Sequence, residues 1–287
     1  MNAAFLGHGP DSEALSPAPI PAAAPVTVRR WTAGEEEEAS DLAAAETPVA
    51  LEYNGISHAV MLASPRDLED FALGFSLSEG IVTARDEILD LEVEELAEGV
   101  RVAMTVPARR FQALKERRRS LAGRTGCGLC GTESLGHVFR DIRPVTTQAR
   151  VAPQALQRAF AAMEEAQPLQ QATGATHAAG WMDADGRLVL VREDVGRHNA
   201  LDKLIGAMAA AGMDFGTGAA LITSRASSEM VQKAAAVGIG VLAAISAPTG
   251  LAIRMAESLN LTLVGFARRN RHVLYAGAGR IAAGDLP

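Results

Sequence analysis

Residues 219–266 read AALITSRASSEMVQKAAAVGIGVLAAISAPTGLAIRMAESLNLTLVGF, and the order of apolar runs in this stretch sets the fold class. Residues 219–223, 239–245 and 261–266 are short and almost wholly apolar, as strands buried on both faces are. Between them, 227–237 and 249–259 carry the spacing of helices, so strand and helix alternate as in a sheet covered by helices. Working upstream, 153–166 predicts a helix, 176–182 and 187–192 two strands around the turn 183–186, and 196–211 a helix stopped by Gly212. Residues 272–275 offer an edge strand. The expectation is a three-layer α/β domain over 151–287.

The rest of the chain reads differently. Residues 1–46 predict a disordered or extended tail: Pro17, Pro19, Pro21 and Pro25 interrupt helix and sheet, and the acidic run 35–38 belongs in water. Over 47–107 a small α+β domain is expected. Asn54 and Gly55 mark a tight hairpin between strands 49–53 and 58–63, a helix begins after Ser64, Pro65 and Asp67 and stops at Gly80, and two further strands flank Gly99. Phe71 and Phe75 belong to its core. Residues 108–150 form a linker, with a basic helix over 108–120 that carries Arg109, Arg110, Lys115, Arg117, Arg118 and Arg119.

With 287 residues, 48% of them hydrophobic, the chain can bury a sizeable core in more than one domain, and its net charge of -7 argues against broad nucleic-acid binding. No apolar run reaches the roughly 18 residues a membrane span needs, and no signal-peptide pattern opens the chain. The expected location is cytoplasmic, where two close cysteines are functional more often than a structural disulfide.

Cys127 and Cys130 are the only cysteines, in the stretch RTGCGLCG. Their spacing lets both sulfurs face one point, which suits metal chelation, a disulfide cycle or sulfur transfer, and the residues alone leave all three open. Gly126, Gly128 and Gly131 clear space for close approach of another molecule. The preceding cations, with Arg124, would favour a thiolate and attract anions.

Strand ends followed by polar loops hold the other candidates. Asp194, His198 and Asp202 are spaced so that a carboxylate can orient an imidazole; equally, Asp194 can cap the helix and pair with Lys203. His177 precedes a strand and reads as a core histidine or a ligand. Ser224, Arg225, Ser227 and Ser228 with Glu229 form a strand-to-helix turn suited to a phosphate, and Ser246, Pro248, Thr249 and Gly250 repeat it. Helix capping explains the hydroxyls equally well. Arg268, Arg269 and Arg271 add donors for a pyrophosphate or guanylate.

Taken together, several segments resemble the formate dehydrogenase accessory sulfurtransferase family: LGFSLSEGIV at 73–82, RTGCGLCG at 124–131, THAAGW at 176–181, REDVGRHNALDKLIG at 192–206, SSEMVQKA at 227–234, SAPTGLA at 246–252 and LVGFAR at 263–268. The resemblance implies a second domain similar to the cytidine deaminase fold and a homodimer. It implies that Cys127 accepts a persulfide from a cysteine desulfurase, with Cys130 assisting. It also implies that Phe266, Ala267, Arg268, Arg269, Asn270 and Arg271, with Ser224, Arg225, Ser246, Thr249 and His198, meet the molybdenum bis(molybdopterin guanine dinucleotide) cofactor for formate dehydrogenase. Arg269, Asn270 and Val273 depart from the residues expected of the family. No resident metal, membrane or nucleic-acid partner is expected.

Two other functions remain in view. A zinc deaminase needs HxE followed by PCxxC, whereas here Ala179 stands at the Glu position, Gly126 at the proline, and the cysteines precede His177. A zinc-bridged adaptor for dehydrogenase assembly would instead use Cys127 and Cys130 as ligands.

Overall fold

The computed structural model describes residues 21–120, 141–268 and 271–282, the last four residues of the first segment by backbone alone. Cys127, Cys130, Arg124, Arg269 and Asn270 lie outside the described residues.

The first strands, β1 (Ala23–Thr32) and β2 (Glu35–Ala44), make an antiparallel hairpin where a disordered or extended tail was expected. Its Ala33–Gly34 turn takes positive φ at both residues, 51° and 98°, a geometry more often signalled by Asn-Gly. The acidic run stays in water, as expected, on a strand facing Arg29 and Arg30; Arg29 reaches Glu36 at 3.4 Å and Arg30 reaches Glu37 at 3.6 Å.

A four-stranded sheet follows in the order β4-β3-β6-β5: β3 (Thr47–Tyr53), β4 (Ile56–Ala63), β5 (Asp90–Leu96) and β6 (Gly99–Thr105). The Asn54–Gly55 turn has φ of 48° and 77°, as the hairpin motif predicts. Between β4 and β5 runs α1 (Leu68–Ser78), which turns Phe71 and Phe75 into the core. After β6 comes the basic helix α2 (Ala108–Ser120).

The second sheet has six strands, ordered β12-β11-β10-β9-β7-β8. After α3 (Pro153–Glu165) and α4 (Pro168–Thr173) come β7 (His177–Met182), β8 (Leu188–Asp194), α5 (Arg197–Ala210), β9 (Ala219–Ile222) and α6 (Ser228–Ala236). Then follow β10 (Val241–Ala244), α7 (Gly250–Ser258), β11 (Thr262–Arg268) and β12 (Arg271–Ala276). β9, β10 and β11 are parallel; β7, β8 and β12 make antiparallel pairs.

Both faces of this sheet are covered, which is why its strands read as unbroken apolar runs. Ala220, Ile222, Leu242, Ala244 and Leu263 join the core beneath α5, α6 and α7, while Ala219, Leu221, Val241, Ala243 and Val264 meet Leu156, Phe160 and Met163 of α3. The first core continues through α1 to Val49, Leu51 and Tyr53 of the smaller sheet, so the two sheets share one apolar interior. α1 and α5 cross at a glycine on each: a Cβ on Gly74 would sit 1.7 Å from the Asp202 carbonyl oxygen, and one on Gly206 would sit 1.8 Å from that of Asp70.

Two buried ion pairs tie these layers. Lys203 Nζ meets Asp194 Oδ2 at 2.7 Å and donates to the Ser64 carbonyl at 2.9 Å, with both charged side chains wholly buried. Lys233 Nζ donates to both oxygens of Asp202 and to Glu79, and Ser78 Oγ donates to Asp202 at 2.5 Å. Burial pushes the Asp202 carboxyl up against the pull of Lys233 and Ser78. It also pushes Lys233 down, but Asp202 and Glu79 outweigh it and leave the ammonium raised, as two carboxylates around one cation should.

Candidate functional site

Because β9, β10 and β11 run parallel, their C-terminal loops leave the same edge of the sheet, the edge at which open α/β sheets bind ligands. Ala226 and Pro248 form a bridge between the first two loops, and the Thr249 N–H donates to the Ala226 carbonyl at 3.0 Å. The Phe266 N–H donates to the Ser246 carbonyl at 3.1 Å, which joins the end of β11 to the second loop. Ser224, Arg225, Ser246, Thr249, Phe266 and Arg268, drawn from three separate motifs, therefore share one edge.

The antiparallel strands bring further groups there. His177 opens β7 and pairs with Asp194 at the end of β8, while Ala179 pairs with Ile222 at the end of β9. α5 starts at Arg197, so Arg197 and His198 stand at the same edge. Glu193 turns away, accepting from the Leu169 and Gln170 N–H groups at the start of α4.

Not every hydroxyl is available to a ligand. Thr249 caps α7 by accepting from the Ala252 N–H at 3.3 Å, as the capping reading anticipated, and Ser224 donates to the Arg225 carbonyl at 3.0 Å. Ser227 is the N-cap of α6, but its buried Oγ makes no hydrogen bond. Ala267 is 2% exposed and packs in the core on the α3 side, leaving its backbone alone at the edge. Phe266 takes φ of 50°, a left-handed conformation that a bulky side chain rarely adopts and that clusters at ligand sites. Gly265 lets Pro248 and Tyr275 pack closely against β11, since a Cβ there would lie 2.8 Å from both Pro248 Cδ and the Tyr275 ring. The Arg271 guanidinium carbon stands 5.8 Å from the centre of the Phe266 ring.

The partner of His198 is Glu229, a correction to the spacing argument that offered Asp194 or Asp202 as its carboxylate. His198 Nε2 lies 2.7 Å from Glu229 Oε2, close enough for an ion pair yet short of an aligned hydrogen bond. Contact with His198 holds the Glu229 carboxyl below its ordinary range against the upward push of burial. Asp194 is engaged elsewhere, accepting from the Ser64 and Gly196 N–H groups and from Asn199 besides pairing with Lys203. It pairs with Lys203, but in the interior rather than at the surface, and it does not cap α5, whose N-cap is Gly196 with no side-chain cap bond. Asp202 points down the helix to Lys233. Burial, then the charges of Arg197 and His198, push His177 down from the ordinary histidine range. Glu229 comes from a different helix, so local spacing around His198 could not reveal the pairing; its signal was its place two residues after Ser227 in the strand-to-helix turn that opens α6.

The basic helix is also less free than its sequence suggests. Arg110 Nε donates to both oxygens of Glu87 at 2.9 Å, and Arg109 meets the same carboxylate at 2.6 Å. Lys115 lies 4.3 Å from the centre of the Phe111 ring. Glu87 thus fixes the start of α2, and its single negative charge offsets one of the two cations, Arg109 and Arg110, expected beside the thiols.

Among the described residues, no group of three or more His, Cys, Asp or Glu side chains could hold a metal ion, and no helix is long and apolar enough to cross a membrane. An open cleft of about 480 Å³, lined by Thr146, Met213, Phe215 and Val237 among others, lies at the opposite edge of the parallel strands.

Comparison with known proteins places this architecture. The FdhD/NarQ family model matches residues 44–282. The chain is 59% identical over 254 residues to the sulfur carrier protein FdhD of Cupriavidus necator, covering 88% of each chain. It is 54% identical over 244 residues to the protein of the same name from Bordetella bronchiseptica, covering 85% of this chain and 88% of that one. A solved structure from Desulfotalea psychrophila, provisionally assigned as a formate dehydrogenase accessory protein, shares the fold with a TM-score of 0.72 at 24% identity, covering 91% of this chain and all of the other. By the extent of the family match and by these identities, the chain belongs to the FdhD/NarQ family.

Proposed function

We propose that the chain is a sulfurtransferase that carries sulfur as a Cys127 persulfide and delivers it to bis(molybdopterin guanine dinucleotide) molybdenum cofactor destined for formate dehydrogenase. The sulfur half of this reading draws on the relatives named sulfur carrier protein. The observation that carries the cofactor half is the convergence of two strand-end loops and the end of β11 on one edge, with Arg225, Arg268 and Arg271 as donors for a large, multiply anionic ligand. The strained Phe266 supports close approach of that ligand.

In the loading step, the Cys127 thiolate attacks the outer sulfur of a cysteine desulfurase persulfide. A new S–S bond forms at Cys127, the donor's S–S bond breaks, and the donor cysteine leaves as a thiolate. In the release step, the Cys130 thiolate attacks the inner sulfur of the Cys127 persulfide, forming a Cys127–Cys130 disulfide and expelling hydrosulfide as the ligand for molybdenum. A cellular dithiol then reduces the disulfide and resets the carrier. The protein is read as a cytoplasmic homodimer whose larger sheet is related to the cytidine deaminase fold but serves to bind cofactor.

The loading step is tested by intact-protein mass spectrometry after incubation with a cysteine desulfurase and cysteine. Wild type and Cys130→Ala are expected to gain the mass of one sulfur atom and Cys127→Ala to gain none. No adduct on any form, together with stoichiometric zinc that is lost in Cys127→Ala, would favour a zinc-bridged adaptor instead.

A further inference from the structure

The strand edge carries more donors than the described residues satisfy. Arg197 Nε and Ser227 Oγ are buried without a hydrogen-bond partner, and His198 Nε2 has only its unaligned contact with Glu229. The charged and titratable groups around His198 are His177 on β7, Asp194 at the end of β8, Arg197 beside it on α5, and Glu229 on α6, with Asp202 and Lys233 one turn farther down. Asp194 and Asp202 are each committed to a buried lysine. Glu229 is therefore the carboxylate left to serve the donors at this edge.

A second contact joins the same two helices independently of the His198–Glu229 pair. His198 and Asp202 are four residues apart on α5, as Glu229 and Lys233 are on α6, so the two contacts form successive rungs between the helices. The Asp202–Lys233 rung is buried and further braced by Ser78 and Glu79; the His198–Glu229 rung is about a quarter exposed at the ligand edge. Opening the outer rung leaves the inner one in place.

We propose that Glu229 is a stand-in anion: it occupies His198 in the empty site and gives way to a phosphate group of the incoming ligand, so that its displacement sets the ligand's affinity. This rests on the reading of the strand edge as the anion-binding site. Glu229 is in this sense a positioning residue, holding His198 toward the edge and competing with what binds there. An anionic ligand meets His198, Arg197 and Ser227 as a ready-made donor set, while the released Glu229 side chain turns to water.

Calorimetric titration of the full chain with guanosine diphosphate, and separately with inorganic pyrophosphate, tests this. Glu229→Gln keeps the shape of the side chain and removes its charge; it is expected to tighten binding about three- to tenfold. Damage to the fold would not do that. His198→Gln is expected to weaken binding about tenfold. Glu257→Gln, which makes the same charge change in the last turn of α7, is expected to stay within about twofold of wild type. Glu229→Gln binding at or below wild-type affinity with an unchanged thermal midpoint, or Glu257→Gln tightening equally, would overturn the inference while leaving the anion site standing. Binding of neither probe by wild type would overturn the anion site and the inference together.

Discussion

Glu87 accepts hydrogen bonds from Arg110, from the Thr83 N–H and hydroxyl, and from Arg109. Arg110 first and the Thr83 N–H second pull its carboxyl down to about 2 from an ordinary 4.5, against burial. Because the folded value is the lower one, the stabilisation is complete above the ordinary value and is lost as pH falls through the interval toward 2. Arg109 is 75% exposed and adds little, so Glu87→Gln is expected to cost about 1–2 kcal/mol in urea unfolding at neutral pH, a difference that shrinks toward zero in strong acid. At this scale the sequence showed which residue types matter more readily than which residues meet. The arginines of α2, His198 and Glu229 were visible as candidates; Glu87, and the pairing of Glu229 with His198, were not, because each carboxylate lies far along the chain from its partner and no local period connects them. Ala267 was grouped with its neighbours by motif, although its own side chain faces the core.

The crossing of α1 and α5 depends on two glycines in the middle of helices, where glycine is otherwise unfavourable. Gly74→Ala is expected to destabilise the protein by about 3 kcal/mol, since the added Cβ meets backbone rather than a movable side chain. Gly279→Ala, with nothing within 4 Å of the added carbon, is expected to change stability by less than about 0.5 kcal/mol; differential scanning calorimetry separates the two. The elements themselves were largely legible. Residues 219–266 alternate as buried strands and helices must, and Asn54–Gly55 names its turn directly. The β1–β2 hairpin was hidden because its turn is Ala33–Gly34 and its second strand opens on four glutamates, a composition that reads as solvated chain until Arg29 and Arg30 are seen opposite it.

Across the whole molecule, the two sheets share one interior, and the Lys233 cluster joins Ser78 and Glu79 of the first layer to Asp202 and α6 of the second. Lys233→Met would leave Asp202 buried opposite an apolar group. It is expected to cost about 3–5 kcal/mol, and pairing it with Asp202→Leu should restore much of that loss; urea unfolding followed by circular dichroism provides the comparison. The same cluster holds the helices whose outer ends carry His198 and Glu229, so the interior that unites the sheets also fixes the ligand edge. The shared interior was not legible in the sequence, because hydrophobic periodicity reports which face of an element is buried and not which element covers it. The central claim is delivery of sulfur to the cofactor, and its most direct test starts from protein loaded with radiolabelled persulfide and mixed with desulfo cofactor and formate dehydrogenase lacking it. The account predicts that label moves to the cofactor and formate oxidation appears with wild type, and that Cys127→Ala yields neither. Label that stays on the carrier, or equal activation by Cys127→Ala, would contradict it.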